Sequence, residues 1–176
     1  VLRRSIENIL KIAGFRYRPL GPSGEKLRVL FGTQGTVLPL SCSGTGAMTA
    51  AVYGVFNPGE KVLVVEAGKF GQRWRTIATS RGLEAVNLNA PWGQSVSPEQ
   101  VEAALKADPS ITGVLIQLSE TSTGVLHPVR EVAQITRQRD VLLLVDGISA
   151  VGLSPCPLDE WGLDCLLTGS QKGLML

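Results

Sequence analysis

Residues 141–146 read Val-Leu-Leu-Leu-Val-Asp, an unbroken aliphatic run that ends in a carboxylate. A strand that is buried on both faces has such a run, whereas a half-buried strand alternates apolar and polar residues. The stretch therefore predicts an inner strand of a parallel sheet that is covered by helices on both sides. Parallel sheets bind ligands beyond the carboxyl ends of their strands, so Asp146 occupies a position where functional side chains are expected.

Apolar runs of the same kind recur along the chain and alternate with segments of helical periodicity. The predicted strands are 37–40, 61–65, 85–88, 114–118, 141–145 and 165–167. The predicted helices are 25–31, 47–56, 70–81, 98–106 and 129–139. Pro39 places the first strand near an edge, Ser97 and Gln100 form a capping box, and residues 21–24 read as a turn. The alternation predicts one α/β domain with a doubly wound sheet over residues 23–176, after an N-terminal helical segment at residues 1–22.

Composition excludes several classes of function. The chain has 176 residues with a net charge of +2, and its basic residues are not massed, which argues against nucleic-acid binding. The longest apolar run is too short to span a bilayer, so no membrane association is expected. Cys42, Cys156 and Cys165 lack metal-ligand spacing, and the only histidine, His127, stands apart from other ligand types. We therefore expect a cytoplasmic protein with reduced thiols and no metal site.

Two of the predicted strand ends carry groups suited to a flat, phosphorylated ligand. Ser43-Gly44-Thr45 opens a helix, where backbone N–H groups and hydroxyls could hold a phosphate, although an ordinary N-cap turn has the same pattern. Neither the Walker pattern nor Gly-x-Gly-x-x-Gly is present. Phe70 follows the strand 61–65 and could either stack on a planar ligand or belong to the core.

The last two strands end in a carboxylate and a lysine. Asp146 could cap the amides that follow it, or could hold a cationic ring nitrogen. Lys172 follows the strand 165–167, and taken alone it reads as a solvated surface lysine. A phosphate turn, an aromatic platform, a carboxylate and a lysine at one edge of a sheet together specify pyridoxal 5′-phosphate, because lysine forms a Schiff base with its aldehyde and aspartate keeps its ring nitrogen protonated.

The same residues lie in sequence blocks that resemble the class V aminotransferases, most closely the alanine–glyoxylate and serine–glyoxylate (serine–pyruvate) branch. The blocks are SCSGTGAM (41–48), NPGEKVLV (57–64), GKFGQRW (68–74), ETSTGVL (120–126), LLVDGISAVG (143–152) and TGSQKGL (168–174). Their order and the spacing between Asp146 and Lys172 make the resemblance specific, and it covers roughly residues 23–176. It implies a fold-type-I large domain that transfers an amino group from alanine or serine to glyoxylate or pyruvate.

The resemblance also implies a role for each matching residue. Lys172 matches the Schiff-base lysine, which is also the base that moves the proton, and Asp146 matches the partner of the ring nitrogen. Phe70 matches the aromatic residue stacked on the ring, and Ile148 matches an apolar residue on the other face.

Five further positions match the family's contacts to the polar groups of the cofactor. Ser43, Gly44, Thr45 and Gln171 match the phosphate-binding positions, and Thr121 matches a hydroxyl residue near the 3′-oxygen. Gln171 also favours this branch over the cysteine desulfurases, in which a histidine usually precedes the lysine.

Family members continue beyond the lysine into a seventh, antiparallel strand and a C-terminal small domain. We therefore expect a partial large domain that lacks both, forms a homodimer or larger self-association, and has little turnover. Two alternatives remain open at this point: a catalytically silent domain that serves in binding or assembly, and another class V enzyme of the lyase or desulfurase type.

Overall fold

The structure, a computed structural model, describes residues 22–176, and the predicted N-terminal helical segment lies outside that range except for Pro22. The main sheet contains the strands β1 (Lys61–Glu66), β2 (Glu84–Asn89), β3 (Ile111–Gln117), β6 (Leu142–Asp146) and β7 (Cys165–Leu167). They lie in the order β2-β1-β3-β6-β7, and every pair is parallel. The strands β4 (Ser119–Glu120) and β5 (Val125–Leu126) form a separate antiparallel hairpin.

Helices cover both faces of this sheet, as the aliphatic runs predict. They are α1 (Pro22–Phe31), α2 (Gly44–Val55), α3 (Lys69–Ser80), α4 (Pro98–Ala107), α5 (Val129–Gln138) and α6 (Leu158–Trp161). On one face, Val101 of α4 and Val132 of α5 join a core cluster with Val114 and Val145 of the sheet. On the other face, α2 and α3 pack their apolar residues on Leu115 and neighbouring sheet residues in a second cluster. The doubly wound α/β architecture is therefore confirmed.

The strand order reverses between β1 and β3. The chain passes from β1 to β2 on one side, and then returns to place β3 on the other side of β1. Loops leaving the carboxyl ends on either side of such a point diverge and leave a crevice, which is where open parallel sheets bind ligands. The segment after β1 leads into Phe70, and β6 ends at Asp146, so the fold directs both residues towards this crevice.

The predicted strand at residues 37–40 is wrong, because this segment has no regular secondary structure. A strand needs a neighbour that satisfies its backbone N–H and C=O groups, and the described chain places none beside it. Pro39 also lacks a backbone donor. Val37 nevertheless packs against the first core cluster, which explains the apolar character of the segment.

The predicted turn at residues 21–24 is also wrong from Pro22 onward, since α1 begins there. Proline is tolerated in the first helical turn because its missing N–H would have had no partner in the helix. The other predicted helices and strands are present within a few residues of their expected bounds, and the hairpin β4–β5 and the short helix α6 are additional.

Candidate functional site

A cavity of about 240 Å³ opens at the carboxyl edge of the sheet. Its lining includes every residue predicted for the site except Thr121, together with two residues that were not predicted, Arg73 and Ser149. The predicted residues in the lining are Ser43, Gly44, Thr45, Phe70, Asp146, Ile148, Gln171 and Lys172. Residues from four separate parts of the sequence thus meet in one cavity.

The first wall of the cavity is the amino-terminal end of α2. Ser43 is the N-cap of this helix, and its hydroxyl oxygen accepts a hydrogen bond from the Gly46 amide at 3.2 Å. The first amides of a helix point away from it without intrahelical partners, and together with the helix dipole they favour an anion. A Cβ at Gly44 would lie only 2.7 Å from Cδ1 of Ile148, so a larger residue at this position would require the end of the Ile148 side chain to move. The same geometry at Ser43-Gly44-Thr45 therefore fits both the N-cap interpretation and the interpretation as an anion site.

Phe70 forms part of the second wall, in the first turn of α3. It belongs to neither core cluster, which removes the alternative that it is a core residue. The N-cap of α3 is Gly68, which has no side chain to cap the helix, and the buried carboxylate of Glu120 takes that role. Oε2 of Glu120 accepts hydrogen bonds from the Phe70 amide at 3.0 Å and from the Gly71 amide at 3.1 Å. Glu120 therefore fixes the position of the aromatic residue.

Asp146 lies at the end of β6 with 5 % of its surface exposed. Its Oδ1 accepts a hydrogen bond from the Ile148 amide at 2.9 Å, as the capping interpretation expects. Burial raises the pKa of Asp146 from 3.8 to about 6, since desolvation penalises the carboxylate. The Ile148 amide and the positive charge of Arg73 oppose this rise, whereas the charge of Glu120 adds to it. A carboxylate in this environment favours a cationic partner.

Lys172 and Gln171 lie in the turn that follows β7. The Lys172 amide donates to the Gly169 carbonyl at 3.2 Å, and the Lys172 carbonyl accepts from Met175 at 3.0 Å. These bonds bend the chain back so that both side chains line the cavity. The solvated-lysine alternative is correct about exposure, because Lys172 is exposed, but the residue also borders the cavity that holds Asp146.

Thr121 stands just outside the cavity lining and reaches it through another hydroxyl. Its Oγ1 forms a short hydrogen bond with Oγ of Ser149, which does line the cavity. The structure thus brings Thr121 next to the predicted site without placing it in the wall.

Arg73 is the most informative residue that sequence reasoning missed. Its Nη1 donates to Oγ1 of Thr45 at 3.0 Å, and its Cζ lies 4.8 Å from the centroid of the Phe70 ring. Residues three apart on a helix share a face, so its spacing from Phe70 could have indicated it. No comparable signal marks Ser149.

The residues present fit pyridoxal phosphate. The amides and hydroxyls at the start of α2 suit the phosphate, Phe70 and Ile148 suit the two ring faces, and the buried carboxylate of Asp146 suits a protonated ring nitrogen. Lys172 supplies an amine at the same cavity.

Two other site classes find no support in the described residues 22–176. No group of three His, Cys, Asp or Glu side chains within this range is placed to hold a metal ion. Within the same range, no helix combines the length and apolar character that crossing a membrane requires.

Comparison with known proteins identifies the family to which the chain is similar. Residues 25–175 match the family described as aminotransferase class-V. The chain is 38 % identical over 154 residues to the soluble hydrogenase small subunit of Synechococcus sp., covering 85 % of this chain and 40 % of that protein. It is 38 % identical over 160 residues to the serine–glyoxylate aminotransferase of Methylorubrum extorquens, covering 88 % of this chain and 40 % of that one.

The fold comparison agrees. The alanine–glyoxylate aminotransferase of Nostoc sp. superposes with a TM-score of 0.82 at 30 % identity, covering 97 % of this chain and 48 % of that structure. The chain thus spans about 40 % of the length of the curated relatives it matches.

Proposed function

Because this chain belongs to the class-V aminotransferase family, whose members depend on pyridoxal phosphate, we propose that it forms the cofactor-binding part of an aminotransferase. The donor would be a small amino acid such as alanine or serine, and the acceptor a 2-oxo acid such as glyoxylate or pyruvate. Support for this substrate class comes from the relatives named serine–glyoxylate and L-aspartate–glyoxylate aminotransferase and from the similar alanine–glyoxylate aminotransferase structure. The observation that carries the proposal is the meeting of Lys172 and Asp146 in one cavity with the amino-terminal end of α2.

Each residue has a physical task in this proposal. The cofactor, when bound, supplies an electron sink that stabilises negative charge on the substrate carbon. Asp146 holds a proton on the ring nitrogen, and Phe70 and Ile148 fix the plane of the ring. Ser43, Gly44, Thr45 and Gln171 bind the phosphate, and Thr121 with Ser149 orients the ring hydroxyl. Lys172 would hold the cofactor through its Nζ, and the same amine would serve as the group that accepts and returns a proton.

The assembly and cellular setting belong to the same proposal. We expect the chain to self-associate as a homodimer or larger assembly, which sedimentation velocity over a range of concentrations would measure. Cys42, Cys156 and Cys165 are all free thiols, which supports a reducing, cytoplasmic setting.

The test is covalent capture of the cofactor at one lysine. The chain is mixed with pyridoxal phosphate, its visible absorbance is recorded, and the adduct is fixed with borohydride and located by peptide mass spectrometry. We expect a visible band and a reduced adduct on Lys172, and the loss of both in Lys172→Ala.

Lys69→Ala is the matched control, since Lys69 is an exposed lysine beside Phe70 that does not line the cavity. Equal spectra for wild type and Lys172→Ala, or an adduct spread over surface lysines, would refute the proposal and favour a catalytically silent domain.

A further inference from the structure

The Arg73 side chain connects two walls of the cavity that lie on different helices. It extends from α3 and donates from Nη1 to Oγ1 of Thr45, in the first turn of α2, at 3.0 Å. Its guanidinium carbon lies 4.8 Å from the Phe70 ring centroid, within the range of cation–π attraction. Arg73 itself is half-buried and lines the cavity. One side chain therefore contacts both the phosphate turn and the aromatic platform.

The positive charge of Arg73 is not matched by a carboxylate within ion-pairing distance among residues 22–176. Two other described arginines do have such a partner: Arg75 on the same helix pairs with Glu66 at 2.7 Å, and Arg139 pairs with Glu102 at 2.8 Å. A guanidinium has five N–H donors in a planar fork, and the hydrogen bond to Thr45 uses only one of its nitrogens. Donors and charge thus remain for an anion that enters the cavity.

We propose that Arg73 is a positioning residue that joins Thr45 and Phe70 into one preformed site and makes that site selective for phosphorylated planar ligands over neutral ones. The proposal deepens the proposed function and rests on it for the identity of the cofactor. Preorganisation lowers the cost of binding because Thr45 and Phe70 are already held in place when the ligand arrives. The charge adds a preference for the phosphate ester that stacking on Phe70 alone would not supply.

The same geometry allows a second outcome, in which removing the Arg73 side chain raises the affinity for the ligand. The guanidinium rests on a face of the Phe70 ring, and if this were the face that a ligand needs, Arg73 would have to leave before binding. Removing the side chain would then tighten binding instead of weakening it. The direction of the affinity change therefore separates a positioning residue from a competitor.

The experiment compares Arg73→Gln and Arg73→Lys with wild type in the full 176-residue chain. Dissociation constants are measured by calorimetry for inorganic phosphate, pyridoxal phosphate and pyridoxal, which lacks the phosphate. The titrations are repeated in Lys172→Ala, where covalent capture is removed. Arg75→Gln is the matched control, because it removes an arginine of the same helix that does not line the cavity.

For Arg73→Gln we expect pyridoxal phosphate and inorganic phosphate to bind about 10- to 100-fold more weakly, the size of losing a charged hydrogen bond, with pyridoxal changing less than about threefold. The affinities of Arg73→Lys for these two ligands should fall between those of wild type and Arg73→Gln, since lysine keeps the charge but lacks the planar fork. A general loss of packing would weaken the binding of pyridoxal phosphate and pyridoxal alike, so it would not change the ratio of these two affinities.

Unchanged or tighter binding in Arg73→Gln, or an equal loss for pyridoxal phosphate and pyridoxal, overturns the Arg73 proposal. If wild type forms no adduct at Lys172 but Arg73→Gln still weakens phosphate binding selectively, the proposed function fails and the Arg73 proposal stands. If wild type binds neither phosphate nor pyridoxal phosphate, both fail.

Discussion

Glu120 shows how a single buried side chain shapes the cavity without lining it. Its surface is fully buried, yet both carboxylate oxygens are satisfied. Oε2 accepts from the first amides of α3, and Oε1 accepts from the Ser122 amide at 3.1 Å and the Ser122 hydroxyl at 2.6 Å. A negative charge at the start of a helix is also favoured by the helix dipole. The sequence places Glu120 at the edge of the sheet but gives no sign that it caps a helix fifty residues away.

We expect Glu120→Gln to lower the free energy of unfolding by about 1–3 kcal/mol, because one acceptor oxygen becomes an NH₂ group that faces an N–H donor. Urea unfolding followed by circular dichroism measures the change. Glu131→Gln is the control: Glu131 is exposed in the first turn of α5, and its variant should stay within about 0.5 kcal/mol of wild type. Equal values for the two variants would contradict the capping role.

Gln117 differs from Glu120, because its buried side-chain amide has no hydrogen-bond partner among the described residues. It lies on β3 directly beside Asp146 in the register of β6, with no exposed surface. Neither its Nε2 nor its Oε1 has a hydrogen-bond partner among the described residues, and Nε1 of buried Trp74 is in the same situation. Unpaired buried polar atoms are costly, so we expect the Gln117 side chain to lower the stability of the fold.

Gln117→Met keeps the length of the side chain and removes both polar atoms. We expect the free energy of unfolding to rise by about 1–2 kcal/mol, measured as a higher urea midpoint with an unchanged slope. Gln138→Met, at the end of α5 and exposed, should leave the midpoint nearly unchanged. A lower midpoint for Gln117→Met would contradict the expected cost of the unpaired amide.

The helices and strands differ in how far the sequence predicts them. Inner strands were predictable because burial on both faces demands aliphatic runs. The helix α4 was predictable from its capping box. In this box the Gln100 amide donates to Ser97 Oγ at 3.3 Å, and the Ser97 amide donates to Gln100 Oε1 at 2.8 Å. The segment 37–40 has strand-like composition but no pairing partner in the described chain, and pairing is a property of the fold. The hairpin β4–β5 is too short for any periodicity to mark it. Cavity-lining residues at strand ends were predictable because the topology brings the carboxyl ends together, whereas Arg73 and Ser149 were not, because their positions depend on side-chain contacts.

Gly71 sets how closely α3 approaches β1. A Cβ at this position would lie 2.6 Å from the Val65 carbonyl oxygen and 2.7 Å from Cα of Glu66, both of them backbone atoms that cannot turn away. We expect Gly71→Ala to destabilise the fold by about 1–3 kcal/mol despite the better helix propensity of alanine, and to weaken pyridoxal phosphate binding as Phe70 shifts. Thermal and urea unfolding with cofactor titration measure both effects.

Thr79→Ala serves as the control for that substitution, because Thr79 is exposed near the other end of α3. We expect it to change neither stability nor affinity appreciably. If Gly71→Ala behaves like this control, the helix and strand can separate without cost, and the proposed coupling between packing and the site is wrong.

Polar residues that suit a cofactor are expected to lower the stability of the folded chain when no cofactor is bound. Asp146 and Gln117 bring a carboxylate and an amide into the interior at the carboxyl edge, where apolar residues would be more stable. In the part of the chain that the structure describes, no strand pairs with the outer edge of β7, next to the turn that bears Lys172. Ligand binding at this edge should therefore contribute measurably to stability.

The contribution of Asp146 to the free energy of unfolding can be measured as a function of pH. Its pKa in the folded chain is about 6, above the ordinary 3.8, so the folded state binds this proton more tightly than the unfolded state. The stabilising contribution is complete below about pH 4 and is lost as pH rises through about 6, which amounts to about 3 kcal/mol for a shift of this size. Asp146→Asn keeps the shape without the charge, so its free energy of unfolding should lack this fall and should exceed that of wild type at pH 7.

Urea unfolding of both chains from pH 4 to pH 8, without cofactor, isolates the effect, because all other titrating groups are common to both. Adding pyridoxal phosphate at pH 7 should reverse the order of stability, since a protonated ring nitrogen stabilises the Asp146 carboxylate and offers nothing comparable to asparagine. Parallel pH curves would show that burial does not perturb this carboxyl group. An equal cofactor-induced gain in both chains would show that Asp146 does not hold the ring nitrogen, and would remove the electrostatic basis of the proposed site.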